Sequence, residues 1–534
     1  MRPQKGSTTT HRPLCVGLCV VACLASGNLA AEGLALQQVI DTTLHTSVGV
    51  RLARSQLRAG EGSLLITQSL FDPILSSAGS TTTSNDPVLT GSSTSQTTDS
   101  ASASLSRRFR SGLRLTPSLS IDRIDVENAT AVSTGTVNLS LLAPLLENRW
   151  GKGDRLRVES AEVAYEGDRW NLTHQSALSV FQAADAYWSY VAASKNLEVF
   201  RISQRRAEQL VSEMRQLVDV EERPAADLIQ VEGNASSKQI DTLSAEQSLI
   251  VARRSLGLAM GIPGPAIEAL QLPSDGFPAT VPFTADADAV EALIELALER
   301  RADLEAEYKD QESARLSLEA DRDDLKPSLD LTVSAGYSGI DAGSGLDPLL
   351  GALTERISGL ETTVRLSYQL PIRNDAAQGA ALRSQSILEQ QQILTEDLER
   401  RVRTAVLVAA EALERAALRA LAAEQTVRLN RTTVDNEKKK SLLGLATLFD
   451  VILAEDRLTS ALLNQVSAQQ AYASAVASLR FETATLIDDP DTARAAVEAF
   501  NLTVPPDPEA LAASPARGTG SAGGGTGSPP ERLR

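Results

Sequence analysis

The chain has 534 residues, 42% of them apolar but only 4% aromatic, and Ala and Leu dominate long stretches. That composition suits helices packed on helices through small residues better than an aromatic-rich globular core. A formal net charge of −17 without any basic stripe disfavours nucleic acid as a partner, because phosphate neutralisation needs clustered Lys and Arg.

At the N-terminus, Arg2, Lys5 and Arg12 precede an apolar run from Leu14 to Ala25 that is too short to span a bilayer as a helix. Residues 1–30 therefore read as an export signal, with cleavage between Ala22 and Ala31. All three cysteines, Cys15, Cys19 and Cys23, lie in this segment, so the rest of the chain has no disulfide framework. Val20-Val21-Ala22-Cys23 also fits a lipoprotein cleavage box, which would leave Cys23 as a lipidated first residue; the other reading is an apolar cysteine inside an ordinary signal. No later apolar run has the length of a transmembrane helix, so any membrane crossing must use strands.

Residues 34–275 form a first repeat. It opens with the helical pattern Val39, Ile40, Leu44, Val50 and closes that helix at Phe71-Asp72-Pro73. Strands follow within 73–144: an uneven one near Ile74–Thr83, two alternating runs at Ala101–Phe109 and Leu113–Ile121 joined as a hairpin around Arg110-Ser111-Gly112, and a last one over Ser133–Ala143. The Ser/Thr/Gly-rich stretch from Ser84 to Ser100 reads as an exposed loop. The spacing leaves open whether the extra hairpin joins a barrel or lies outside it. From Gly153 to about Val218 there is no proline, which allows a helix of about 100 Å at 1.5 Å per residue. The chain then turns near Glu221-Glu222-Arg223-Pro224, with proline suited to the first turn of a returning helix, and the hairpin occupies about 153–262.

Residues 287–490 repeat this order. Leu293, Ile294, Leu298 and Leu304 answer the first opening at an offset of about 254 residues, and the helix closes at Leu325-Lys326-Pro327. Within 327–371, Leu329, Leu331, Val333, Ala335 and Tyr337 alternate with Ser328, Asp330, Thr332, Ser334 and Gly336, and Val364, Leu366, Tyr368 and Leu370 alternate with Thr363, Arg365, Ser367 and Gln369. This dyad fits a transmembrane β-barrel strand and equally a half-buried soluble sheet; the export signal and the duplication favour the barrel. A second proline-free helix runs from Asn374 to about Lys440, with Leu394, Leu398, Val402, Ala405, Ala409, Leu413, Ala416, Ala420, Ala423 and Val427 as a nearly straight packing stripe. Gly444-Leu445-Ala446-Thr447 forms its turn, with Gly444 as a left-handed cap and Thr447 as N-cap, and the second hairpin occupies about 374–487. Residues 503–534, rich in Pro, Gly, Ser and Ala, read as a disordered tail.

The paired helix openings, Arg300-Arg301-Ala302-Asp303-Leu304, the Leu325–Leu331 lead into a strand, Pro144 and Pro371 at the strand exits, and Gly444 through Asp450 together resemble the TolC-like family of bacterial outer-membrane efflux channels, over Leu36 to Ile487. The resemblance implies a mainly α fold with a transmembrane β-barrel. In it, three copies with four strands each close a 12-strand barrel on a long α-helical cylinder in the periplasm. It also implies an exit duct for tripartite efflux or type I secretion, with an inner-membrane transporter and a periplasmic adaptor that docks at the hairpin tips: Glu222, Arg223, Pro224, Gly444, Leu445, Ala446 and Thr447. Acidic residues near such tips narrow the entrance; Asp450 matches, with Asp227 as its first-repeat equivalent, although Leu453 and Ala446 stand where the family has an acidic residue and an arginine. The bland reading of both aspartates is a solvated carboxylate stabilising a helix start.

Nothing points to catalysis or to a bound cofactor. His45 and His174 have no metal-like spacing, no phosphate loop or nucleophile elbow occurs, and Asp323-Asp324 and Asp488-Asp489 fall at element ends where capping explains them. An exported coiled-coil adaptor or scaffold is the alternative reading, but it leaves the alternating strands unexplained.

Overall fold

The structure is a computed structural model that describes residues 33–87, 93–126, 129–343, 346–354 and 356–486. The proposed signal, Cys23, Asp488-Asp489 and the C-terminal tail lie outside these residues.

Two helices, α1 (Leu36–Thr46) and α2 (Val48–Gln68), lead into β1 (Ile74–Pro87), β2 (Ser93–Arg108), β3 (Arg114–Val126) and β4 (Val132–Pro144). The helical hairpin α3 (Lys152–Asp219) and α4 (Ala225–Met260) follows, then the short α5 (Gly264–Glu268). The order then recurs as α6 (Ala287–Arg300), α7 (Ala302–Asp323), β5 (Ser328–Ala342), the short α8 (Leu346–Gly351), β6 (Glu361–Gln369), α9 (Asp375–Leu442) and α10 (Leu448–Glu482). Val39 and Leu293, Ile40 and Ile294, and Val50 and Leu304 are buried at equivalent places, so the matched spacing is a matched core.

Both α3 and α9 have 68 residues, about 100 Å each. Neither has a proline to interrupt its ladder. α9 starts at Asn374 in the left-handed region (φ 49°), whereas α3 starts at Gly151 (φ 69°), after a 3-10 turn that begins at the left-handed Asn148 (φ 51°); asparagine tolerates that conformation better than other residues with a Cβ. Along α9, Val402, Ala409, Leu413, Ala416, Ala420 and Val427 are buried as the stripe requires, and Val406, Ala410 and Ala417 widen it. Leu394 is half exposed, at 50%. The scarce aromatics concentrate where α1, α3, α4 and α10 meet: Tyr187, Trp188 and Tyr190 are fully buried, and the Tyr187 hydroxyl lies 2.9 Å from the Leu34 carbonyl and 3.0 Å from Asp275.

The six strands form one antiparallel meander in the order β1-β2-β3-β4-β5-β6. The sheet therefore has two more strands than the resemblance implies. The hairpin expected at Arg110–Gly112 is present, with Gly112 at φ 79°. The loop expected over Ser84–Ser100 is not: Ser84 through Pro87 continue β1, Ser93 through Ser100 belong to β2, and their residues pair in unbroken register. Thr and Ser hold β geometry here on both faces, so there was no alternation to read. Residues 88–92 lie outside the described set.

Candidate functional site

Both faces of the sheet can be followed through the ladders. Ser77, Ala103, Leu119, Val137 and Tyr337 share one row, as do Leu115, Leu141, Val333 and Val364; Ala143, Leu331 and Leu366 share another, and Leu329 pairs with Tyr368. These residues lie on one face and carry no charge. The band ends above at Asp99 opposite Arg123 and below, on β2, at Arg107. Leu75, Leu105, Leu139, Val364, Leu366 and Tyr368 are exposed, as are Trp150, Leu145, Leu146 and Ile372 at the foot of the sheet. Such a surface demands an apolar surrounding.

Where sheet meets helices, polar groups join the repeats. The Asn148 backbone N–H donates to Asp323 at 2.8 Å and its side chain to Asp154 at 2.7 Å, while Arg108 pairs with Asp154 at 2.9 Å and Arg157 with Asp324. Asp154 and Asp323 are buried. Asp323 thus fastens one repeat to the other, a role that capping does not describe. His174 also has company: it lies 3.7 Å from Asp303, beside Arg301 and Glu482, and burial is the main cause lowering its pKa.

At the far ends of the long helices lie the two tips. In the first, Glu221 is left-handed (φ 59°), Pro224 is the N-cap of α4 instead of its first-turn residue, and Asp227 pairs weakly with Arg223 at 4.0 Å. In the second, Gly444 (φ 72°) lets the Leu445 N–H return to the Lys440 carbonyl at 2.9 Å, closing α9. Thr447 and Asp450 make a capping box: the Asp450 N–H donates to the Thr447 hydroxyl at 3.2 Å and the Thr447 N–H to the Asp450 carboxylate at 2.8 Å. The Thr447 hydroxyl also donates to the Asp450 carboxylate at 2.6 Å; that bond first, and then the Thr447 N–H, hold the carboxyl below its usual range, although it is fully exposed. Asp227 and Asp450 are each the third residue of their helix. Leu442, Leu443, Leu445 and Phe449 form an exposed apolar cluster at the second tip. Sequence reasoning singled out only Leu445; the apolar residues on both sides of Gly444, Leu442-Leu443 before it and Leu448-Phe449 beyond Thr447, were the available signal. Among the described residues no group of acidic, His and Cys side chains could hold a metal ion.

Residues 293–484 match the family model described as outer membrane efflux protein. Solved structures extend the likeness of fold to 84% of the chain. The CmeC outer membrane channel of Campylobacter jejuni has 14% identity and a TM-score of 0.63, over 84% of this chain and 85% of that one. The outer membrane protein VceC of Vibrio cholerae has 16% identity and a TM-score of 0.62, over 84% and 95%. The open-state MtrE outer membrane channel of Neisseria gonorrhoeae has 19% identity and a TM-score of 0.58, over 84% and 88%. Curated protein sequences give no match. No helix among the described residues is long and apolar enough to cross a membrane.

Proposed function

We propose that the protein is the outer-membrane exit duct of a tripartite efflux or type I secretion system, with copies arranged as a homotrimer around a pore. The observation that carries this reading is the uncharged apolar band on one face of a sheet whose two outer strands, among the described residues, each leave one edge unpaired. In hydrocarbon an open edge is untenable, so the sheet must close with other copies into a barrel. The helices of about 100 Å then form the periplasmic cylinder. Conduction is passive; an inner-membrane transporter supplies the energy.

A periplasmic adaptor docks at the tips in this reading. The exposed Leu442, Leu443, Leu445 and Phe449 give it an apolar anchor of the kind found at interface centres, flanked by Glu222, Arg223 and Pro224 of the first tip. Around the threefold axis Asp450 forms a ring of carboxylates that favours cations, with Asp227 adding a second ring. The test is cell fractionation with electrophoresis of unheated samples. A protease-resistant oligomer in the outer membrane is the expected result; a soluble periplasmic chain sensitive to protease would favour the adaptor or scaffold reading.

A further inference from the structure

Resting on the channel reading, we infer that every protomer gives all six strands to the barrel wall, so that three copies close eighteen strands instead of the twelve that the resemblance implies. The β1–β2 hairpin is wall, not an external ribbon, and the edge that meets the next copy's β6 is β1.

The argument is the stagger of the strand feet. The row through Ile74, where β1 begins, passes Ser106, crosses to Thr116 by the register that holds on either side of a gap in the β2–β3 ladder, and continues through Ser140, Ser334 and Thr363, six residues short of Gln369, where β6 ends. Six residues are about 20 Å of strand, and five inter-strand gaps are about 24 Å. Feet lying in one plane therefore require strands tilted by about 40°, within the 35–45° of closed barrels. The rise does not stop at β3: Arg114 lies on the row of Arg365, four residues from Gln369 across three gaps; Arg108 of β2 stays on that row, and Ile74 of β1 lies two residues higher, so the last two gaps add a comparable rise. The lower border of the apolar band climbs with it, from Tyr368 through Ala143 and Leu115 to Leu105 and Leu75. An external ribbon has no reason to keep that incline.

An even number of strands also makes β1 and the next copy's β6 antiparallel, as barrel closure needs. One feature opposes the inference. Pro117 in β3 has no N–H, and the β2–β3 ladder skips Leu105 and Ser106 opposite it, which is how an edge strand looks. The pairing nevertheless resumes on both sides, and Thr116 lies 3.4 Å from Ser106 through their hydroxyls.

Disulfide trapping separates the two closures. Ser77 and Leu119 share a row on the apolar face, and no native cysteine follows Cys23. Ser77→Cys and Leu119→Cys would each be combined, in the full chain in outer membranes, with Thr362→Cys, Val364→Cys, Leu366→Cys or Tyr368→Cys and treated with a membrane-permeant oxidant. The eighteen-strand wall predicts covalent dimers and trimers from at least one Ser77 combination and none from Leu119. Cross-links from Leu119 alone would overturn it, leaving a twelve-strand channel with the hairpin outside. Unheated electrophoresis of each variant verifies assembly; absence of any oligomer in the unmutated chain would overturn the channel reading as well.

Discussion

Arg301, between α6 and α7, forms a 2.8 Å ion pair with Asp303 and reaches across to Glu482 in the last turn of α10, so that the start and end of the second repeat are tied by one guanidinium. Burial pushes the Asp303 carboxyl up, but the hydrogen bonds and charge of Arg301 outweigh it and hold the pKa below its ordinary value. Phe481 lies against the guanidinium, 5.8 Å from ring centroid to Cζ.

Arg301→Ala leaves two partly buried carboxylates without their cation and should destabilise the protein by about 3 kcal/mol. Thermal unfolding of the detergent-solubilised protein measures it. Arg301→Met combined with Asp303→Leu should recover part of the loss. Because the folded Asp303 pKa is depressed, its stabilisation is present above the unfolded value and is lost only as pH falls through the folded one. The wild-type pair should therefore hold from pH 8 to pH 5, whereas in Arg301→Ala burial raises the uncompensated Asp303 carboxyl, so the deficit should be largest at pH 8 and shrink as pH falls toward 5.

Asp310 behaves oppositely. Burial first, then Glu307 and Asp168, push its pKa up to about 6. A raised carboxylate pKa means that the folded state gains stability as pH falls through that value and opposes ionisation above it. Asp310→Asn should stabilise the protein by about 1 kcal/mol at pH 8, after allowance for solvent screening, and by almost nothing at pH 4. Paired melting curves across that range test the sign.

Thr447→Ala removes the α10 cap and should cost about 1 kcal/mol locally, seen as faster hydrogen exchange over 447–451. Since Thr447 holds the Asp450 carboxyl ionised, block of conductance by a trivalent cation from the helical side should persist from pH 8 to pH 5. Asp450→Ala should weaken that block at both.

Gly151→Ala is the sharpest backbone test. Its φ is 69°, and an added Cβ would stand 2.4 Å from the Arg110 carbonyl oxygen. Strain and collision at the turn that joins β4 to α3 should destabilise the fold by at least about 1 kcal/mol, read as reduced recovery of protease-resistant oligomer in unheated samples.

Duplication, both long helices, the turn at Gly444 and the Thr447 cap were legible because each has a local signature: repeat spacing, absence of proline, a glycine, a hydroxyl three residues before Asp450. The β1–β2 hairpin was half legible, since Ala101, Ala103 and Leu105 alternate but Ser84–Asp86 and Ser92–Ser100 are polar at every position. Asp323 was misread for a different reason. Its hydrogen-bond partner Asn148 is 175 residues away in sequence, and no local pattern encodes that meeting. Asp450 was legible as a helix-start carboxylate, and the structure places it in that capping box; the entrance role depends on how copies assemble.

The central claim is that this chain forms a pore, and single-channel recording of the purified protein in planar bilayers tests it most directly. The account predicts discrete, uniform conductance steps. Well-folded oligomer that inserts without conducting would contradict it.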